Sequence, residues 1–148
     1  MKRFFILICT LFVVVAASAQ HSRKIGDIIT INGRQGIVFS TSADGKHGKV
    51  LSIDRTSLKW DDCNAWCAHL GKGWRLPTKN ELKEVYANKD IIEAAFVAAG
   101  LQTFSEYERY WSSDVVFEIN AWTVRMDDGL CYDFKKDYEL SVRAVSAF

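Results

Sequence analysis

The hydrophobic pattern of this chain changes period twice, and the changes divide it into strands, then helices, then strands. Ile25–Ile31 alternates loosely and is rich in β-branched residues, which predicts a strand. Asn32-Gly33 marks a tight turn, and Gly36-Ile37-Val38-Phe39 reads as the returning strand. After the loop Ala43–Gly48, the run Lys49–Ile53 completes a β-meander. The period then lengthens. Trp60, Cys63, Cys67 and Leu70 fall on one helical face, and Gly71 and Gly73 end that helix. A second helix opens at Thr78, with Leu82, Val85 and Tyr86 directed inward, and Asn88–Asp90 closes it. Ile91–Ala99 is a third helical run, capped by Gly100, whose alanines suit close packing. From Tyr110 the two-residue period returns. Tyr110–Ser113, Ala121–Met126, Leu130–Phe134 and Ser141–Phe148 are the expected strands, with Asp127-Asp128-Gly129 turning between the second and third. No strand–helix–strand alternation appears, so the expected class is α+β, an antiparallel sheet with two to three helices packed on it.

The N-terminus follows a different logic. Lys2 and Arg3 precede the apolar run Phe4–Val15, and Ala17-Ser18-Ala19 supplies a small-residue cleavage site. The run is shorter than the roughly 20 residues a membrane-spanning helix needs, so the segment 1–19 is expected to be a cleaved secretory signal. Cys9 is a poor lipoprotein site because Ile8 stands where a small residue is wanted. Residues 20–148 are then expected to form one exported domain with a polar start at 20–24, destined for the periplasm, the cell surface or the medium.

Cleavage leaves 17 basic against 18 acidic residues, so no basic surface points to nucleic acid or an anionic membrane. No membrane span is expected after cleavage. Export permits disulfides, and Cys63, Cys67 and Cys131 remain, an odd set that leaves at least one thiol free or intermolecular. Cys63 and Cys67 lie one turn apart on a helix, a poor geometry for a direct bridge. Either a bridge from the helix to Cys131 or three reduced, buried thiols fits the sequence.

The densest motif is Gly73-Trp74-Arg75-Leu76-Pro77-Thr78-Lys79-Asn80-Glu81-Leu82, which holds the only proline. Pro77 forces Leu76 out of helical geometry, and Thr78 with Glu81 forms a capping box for the second helix. Arg75 is expected to meet a carboxylate or carbonyls at the sheet end. Trp74, Arg75, Pro77, Thr78, Glu81, Trp111, Trp122 and Arg143 therefore read as structural, with Trp111 and Trp122 as core. With Tyr110-Trp111-Ser112-Ser113, Ala121-Trp122-Thr123-Val124 and Val142-Arg143-Ala144-Val145, this motif resembles the bacterial family of the Legionella collagen-like protein C-terminal domain. The meander with its Asp44–Gly48 loop also resembles exported relatives from gut Bacteroidetes.

The resemblance implies a C-type-lectin-like fold, related to formylglycine-generating enzymes, in which N- and C-terminal strands meet and two helices pack on the sheet. It implies that a first-helix cysteine ties to the terminal strands, which favours Cys67–Cys131. It also frames two tests. Calcium-dependent lectins carry Glu-Pro-Asn and then Trp-Asn-Asp. This chain has Glu118-Ile119-Asn120 without the proline, and Thr123-Val124 in place of the second pair of oxygen ligands. Formylglycine-generating enzymes carry a copper-binding cysteine pair near the C-terminus, where Ser141–Phe148 has no cysteine.

Other chemistry is thin. No zinc spacing connects His21, His47 or His69 with the cysteines. Asp61 and Asp62 read as partners of a helix N-terminus. Neither metal nor cofactor is expected. What remains is a mixture of aromatic and polar residues between Phe104 and Tyr132. Tyr107, Asp114, Phe117, Glu118, Asn120, Asp128 and Tyr132 are the candidate ligand residues, with Asp114–Asn120 as the expected exposed loop. Aromatic faces stack on sugar rings and suit protein hot spots equally. The expected function is a non-catalytic recognition or adhesion module for a glycan or protein ligand at the cell surface, without calcium. The alternatives are a structural subunit of a surface assembly and, less favoured, a thiol-dependent redox enzyme.

Overall fold

A computed structural model describes residues 21–148, so the expected signal segment and Cys9 lie outside the described residues. Two sheets organise the chain. β1 (Ile28–Ile31), β2 (Arg34–Thr41), β3 (Gly48–Ser52) and β9 (Val145–Ala147) form a four-stranded antiparallel sheet in that order. β4 (Thr56–Leu58), β8 (Leu140–Val142), β5 (Arg109–Phe117), β6 (Asn120–Arg125) and β7 (Cys131–Lys135) form a five-stranded sheet in that order. Its pairings are antiparallel except the single parallel contact of β5 with β8 at Tyr110 and Ser141. Three helices complete the α+β class: α1 (Trp60–Leu70), α2 (Lys79–Ala87) and α3 (Lys89–Ala98). None is long and apolar enough to cross a membrane.

The four-stranded sheet is buried on both faces, and the five-stranded sheet is so around Tyr110, Trp111, Ala121 and Val124, which explains the continuous apolar runs there. Side chains alternate along a strand. Val38 and Val50 join Trp111, Ala121 and Val142 in one core cluster under α1, through Cys63, Cys67 and Leu70. Their neighbours Ile37, Phe39 and Leu51 join Tyr110, Val124 and Met126 in a second cluster under α2 and α3, through Leu82, Val85, Ile92 and Phe96. The pairing of β3 with β9 brings the N-terminal meander against the C-terminus, as the family resemblance implied.

The turns form where the residue types allow them. Asn32 and Gly33 both adopt positive φ, 45° and 83°, which closes the Ile31–Arg34 hairpin with a two-residue loop. Gly129, at φ 70°, ends the β6–β7 turn with its Cα against Tyr86, where an added Cβ would meet the ring at 2.3 Å. Helix α3 stops in a Schellman motif. Gly100 takes φ 69°, its N–H donates to Val97 O, and Leu101 N donates to Phe96 O. Only Ile92 and Phe96 of α3 are buried; Ala95 packs at the edge of the same cluster, while Ala94, Ala98 and Ala99 are exposed, so the alanines form no continuous packing seam.

Three expectations change. The C-terminal run is not one strand: it breaks at Arg143-Ala144, where the chain passes from the five-stranded sheet to the four-stranded one. Ser52 holds that crossing, its N–H donating to Ala144 O and its Oγ accepting from Ala144 N. Asp114–Asn120 is not a loop but the outer half of β5 and the tip of the β5–β6 hairpin. Cys67 and Cys131 do not pair. The three cysteines among the described residues are free, and Cys67 is buried in the α1 cluster while Cys131 packs on the α2–α3 cluster, on the other side of the sheet.

Candidate functional site

The Trp74–Glu81 corner is closed. Trp74 is buried and its Nε1 donates to Ile31 O at 3.1 Å. Arg75 forms an antiparallel bridge beside β9 through paired backbone bonds with Val145, and its guanidinium grips both oxygens of Glu81 at 2.7 and 2.8 Å. Glu81 also accepts from Thr78 N, while Thr78 Oγ1 accepts from Glu81 N. Burial pushes the Glu81 carboxyl up, but the Arg75 and Thr78 bonds and the Arg75 and Lys49 charges outweigh it and hold it at about 2. Pro77 O accepts from Ser113 N, tying the corner to β5. Asp114, a candidate ligand residue, turns out to accept from Lys79 N at 2.5 Å and so caps α2 alongside Thr78. Trp111 is core, its Nε1 bonded to Leu58 O. Trp122 is half-buried instead, on the opposite face of β6, with Lys79 Nζ over its ring at 4.6 Å.

Arg143 is closed in the same way. It is 2% exposed, and its Nη1 donates to Ser52 O and Ile53 O at 2.7 and 2.9 Å. Its Nε donates to the Tyr110 hydroxyl, which burial pushes up to about 12 and so keeps protonated. The guanidinium stacks on Phe96 and Phe104, 5.1 and 5.6 Å from their centroids.

The other end of the five-stranded sheet is open. Arg109 of β5 stands directly opposite Arg125 of β6, and Thr123 of β6 opposite Tyr132 of β7. This register puts both arginines and Tyr132 on one face, next to Phe134, which packs at the edge of the α1 cluster. There they interleave with rings. Arg125 lies over Tyr107 and Tyr132 at 5.4 Å each, and Arg109 over Tyr132 and Phe134 at 5.5 and 5.2 Å. Phe134 meets Tyr138 edge-on. Cation–ring stacking of this kind contributes about 0.5–1 kcal/mol at exposed positions. Tyr107 is 58% exposed and takes φ 61°, a left-handed backbone that a bulky residue rarely adopts.

The two arginines differ in charge balance. Arg125 pairs with Asp127 through Nε and with Asp128 at 2.5 Å. Asp128 also accepts from Tyr132 Oη at 3.1 Å and Leu130 N at 2.9 Å. Desolvation pushes the Asp128 carboxyl up, but these bonds and Arg125 hold it below the ordinary range. Arg109 has no carboxylate partner among the described residues. Its Nε is out of solvent without a hydrogen bond, and its Nη1 makes only a 3.4 Å contact to Tyr107 O.

The candidate residues therefore divide. Tyr107, Asp128 and Tyr132 converge on this face. Phe117 and Glu118 sit at the far tip of the β5–β6 hairpin, where Phe117 is 73% exposed beside exposed Val115 and Ile119. Glu118 lines a shallow groove of about 690 Å³ with Lys59, Asp61, Asp62, Lys135 and Asp137. Asn120 Nδ2 donates to Asp133 at 2.8 Å. Arg109, Arg125 and Phe134 were absent from the sequence candidates. The arginines are separated by a hairpin with register shifts between Trp111 and Val115 and between Val115 and Phe117, so counting along the sequence does not align them.

Thiol chemistry has little support. Burial, with the neighbouring Cys67 and Asp62 adding to it, pushes the Cys63 thiol up to about 12, and burial does the same to Cys67. Among the described residues no group of His, Cys, Asp and Glu is placed to hold a metal ion.

The Lcl C-terminal domain family matches residues 30–146. No curated protein matches the chain. Among solved structures, the crystal structure of botrocetin is similar at 12% identity, covering 74% of this chain and 94% of that one, with a TM-score of 0.43.

Proposed function

The chain belongs to the Lcl C-terminal domain family, and from that premise we propose that it is an exported, non-catalytic recognition module. It binds a glycan or protein ligand at the cell surface without calcium. The observation that carries this reading is the open arginine–aromatic face of Tyr107, Arg125, Tyr132, Arg109 and Phe134. Ring faces offer stacking area, and guanidinium and carboxylate edges offer directional hydrogen bonds, the combination that anchors both sugars and protein side chains. The half-buried arginines are held in place by the rings beneath them, so little side-chain freedom is lost on binding. A second reading, a structural subunit of a surface assembly, draws on the apolar hairpin tip of Val115, Phe117 and Ile119.

A glycan array run with calcium and with chelator tests the first reading, using the natural protein beside Tyr107→Ala. Saturable binding in both lanes, lost in Tyr107→Ala, supports it. Binding that ignores Tyr107→Ala overturns this face as the site. Self-association at modest concentration without ligand, unaffected by Tyr107→Ala, moves the case to the second reading.

A further inference from the structure

We infer that the free edge of β7 receives an extended, acidic segment of a partner protein as a sixth strand, with one carboxylate of that segment seated on Arg109. This rests on the open face being the ligand surface and goes further by naming the ligand's chemistry.

The backbone supplies the first argument. β7 ends the strand order of its sheet. Arg125 N donates to Leu130 O and Lys136 N to Ile119 O, and the register pairs Thr123 with Tyr132 and Ala121 with Phe134. In an antiparallel ladder the residues that bond the neighbour alternate with those that face away. Tyr132 and Phe134 therefore spend their backbone groups on β6, and Cys131, Asp133 and Lys135 turn theirs outward. Lys135 O is taken by Tyr138 N at 3.1 Å. The outward groups of Cys131 and Asp133 remain, spaced as a peptide strand would meet them. A sugar has no alternating donor and acceptor row of that spacing.

Charge supplies the second. The Arg109 guanidinium lies against the rings of Tyr132 and Phe134, the side chains that β7 projects on this face. Side chains of an added strand would stand beside those rings. Arg109 faces Arg125 directly, and like charges in that position repel. Arg125 is neutralised by Asp127 and Asp128, whereas Arg109 has unspent donors and no carboxylate among the described residues. An incoming glutamate satisfies both conditions. A second copy of this chain, paired edge to edge through β7, would instead bring its own Arg109 to the same face.

The test uses fluorescence anisotropy with the seven-residue capped peptide of alternating threonine and glutamate, and with its lysine counterpart. The proteins are the natural chain, Arg109→Gln and Asp133→Pro. Proline at position 133 removes an outward N–H and leaves the β6 ladder intact. Cys131→Pro blocks the same edge if Asp133→Pro does not fold, as judged by circular dichroism. The expected result is saturable binding of the glutamate peptide alone, weakened about tenfold or more by either substitution, as loss of a charge-assisted bond or a strand-edge bond would give. Absence of glutamate-peptide binding, or binding indifferent to both edge prolines, overturns the inference. If a glycan binds the face while the peptide does not, this inference fails and the ligand-surface reading stands. If neither probe binds, both fail. A concentration-dependent dimer abolished by Asp133→Pro assigns the edge to a second copy and overturns the acidic segment.

Discussion

Arg143 and Arg109 are the same residue in nearly the same aromatic setting, and they do different things. Each guanidinium lies between two rings at 5.1–5.6 Å. Arg143 is sealed, and its donors go to Ser52 O, Ile53 O and Tyr110 Oη. Arg109 is half-buried and almost all of its donors are unspent. Stacking on rings therefore does not set the two arginines apart; donor saturation does. The same criterion sorts the Trp74–Glu81 corner, where Arg75 and Glu81 satisfy one another, from the β5–β7 face.

The comparison breaks first if Arg143 proves dispensable. Arg143→Met keeps volume but leaves the buried Ser52 carbonyl and the part-buried Ile53 carbonyl without their donor and removes one bond to the Tyr110 hydroxyl. It is expected to cost about 3 kcal/mol, since each buried group left unsatisfied costs about 1–3 kcal/mol. Urea denaturation checks this through a lower midpoint at unchanged slope. Glu81→Ala comes next, at about 2 kcal/mol, because it leaves Thr78 N–H without its acceptor, undoes the capping box and removes the bidentate pair with Arg75. Its pH signature is specific. The folded carboxyl titrates at about 2 against an ordinary 4.5, so the unfolded chain binds that proton more readily. The stability it supplies is complete above pH 4.5 and drains as pH falls toward 2. Denaturation midpoints of Glu81→Ala should lose that component of their pH dependence. Thr78→Ala removes only one half of the box and is expected to cost about 1 kcal/mol by the same measurement.

What the sequence made legible was local. The capping box, the Asn32-Gly33 and Asp127–Gly129 turns and the buried face of α1 each follow from residues a few positions apart, and all are present. β4, Thr56–Leu58, is too short to show a period, and its place is set by pairing with β8 far along the chain. The Arg143-Ala144 break reads as continuous apolar strand because both flanks are buried, in different sheets. The Cys67–Cys131 pairing rested on the family resemblance, and nothing in the sequence says that the two residues serve opposite faces of a sheet. Among the candidate ligand residues, Tyr107, Asp128 and Tyr132 met because they flank one end of the β6–β7 hairpin. Arg109 and Arg125, which organise them, required a register that the bulged β5–β6 pairing hides.

The smallest expected stability effect is the most discriminating. Arg109→Gln removes a cation that faces another cation and holds no strong bond, so the lost stacking is offset by relief of repulsion with Arg125. Stability is expected to stay within about 0.5 kcal/mol of the natural chain, the range of substitutions that break no satisfied contact. Arg125→Gln removes ion pairs with Asp127 and Asp128 and leaves Asp128 to Tyr132 and Leu130 alone, so it should cost more than Arg109→Gln. If instead Arg109→Gln destabilises the fold as Arg143→Met does, Arg109 is scaffold, its unspent donors are met by water, and the open face loses its claim as the ligand surface. If Arg109→Gln leaves stability intact while ligand binding falls, the unspent guanidinium is retained for something outside the chain.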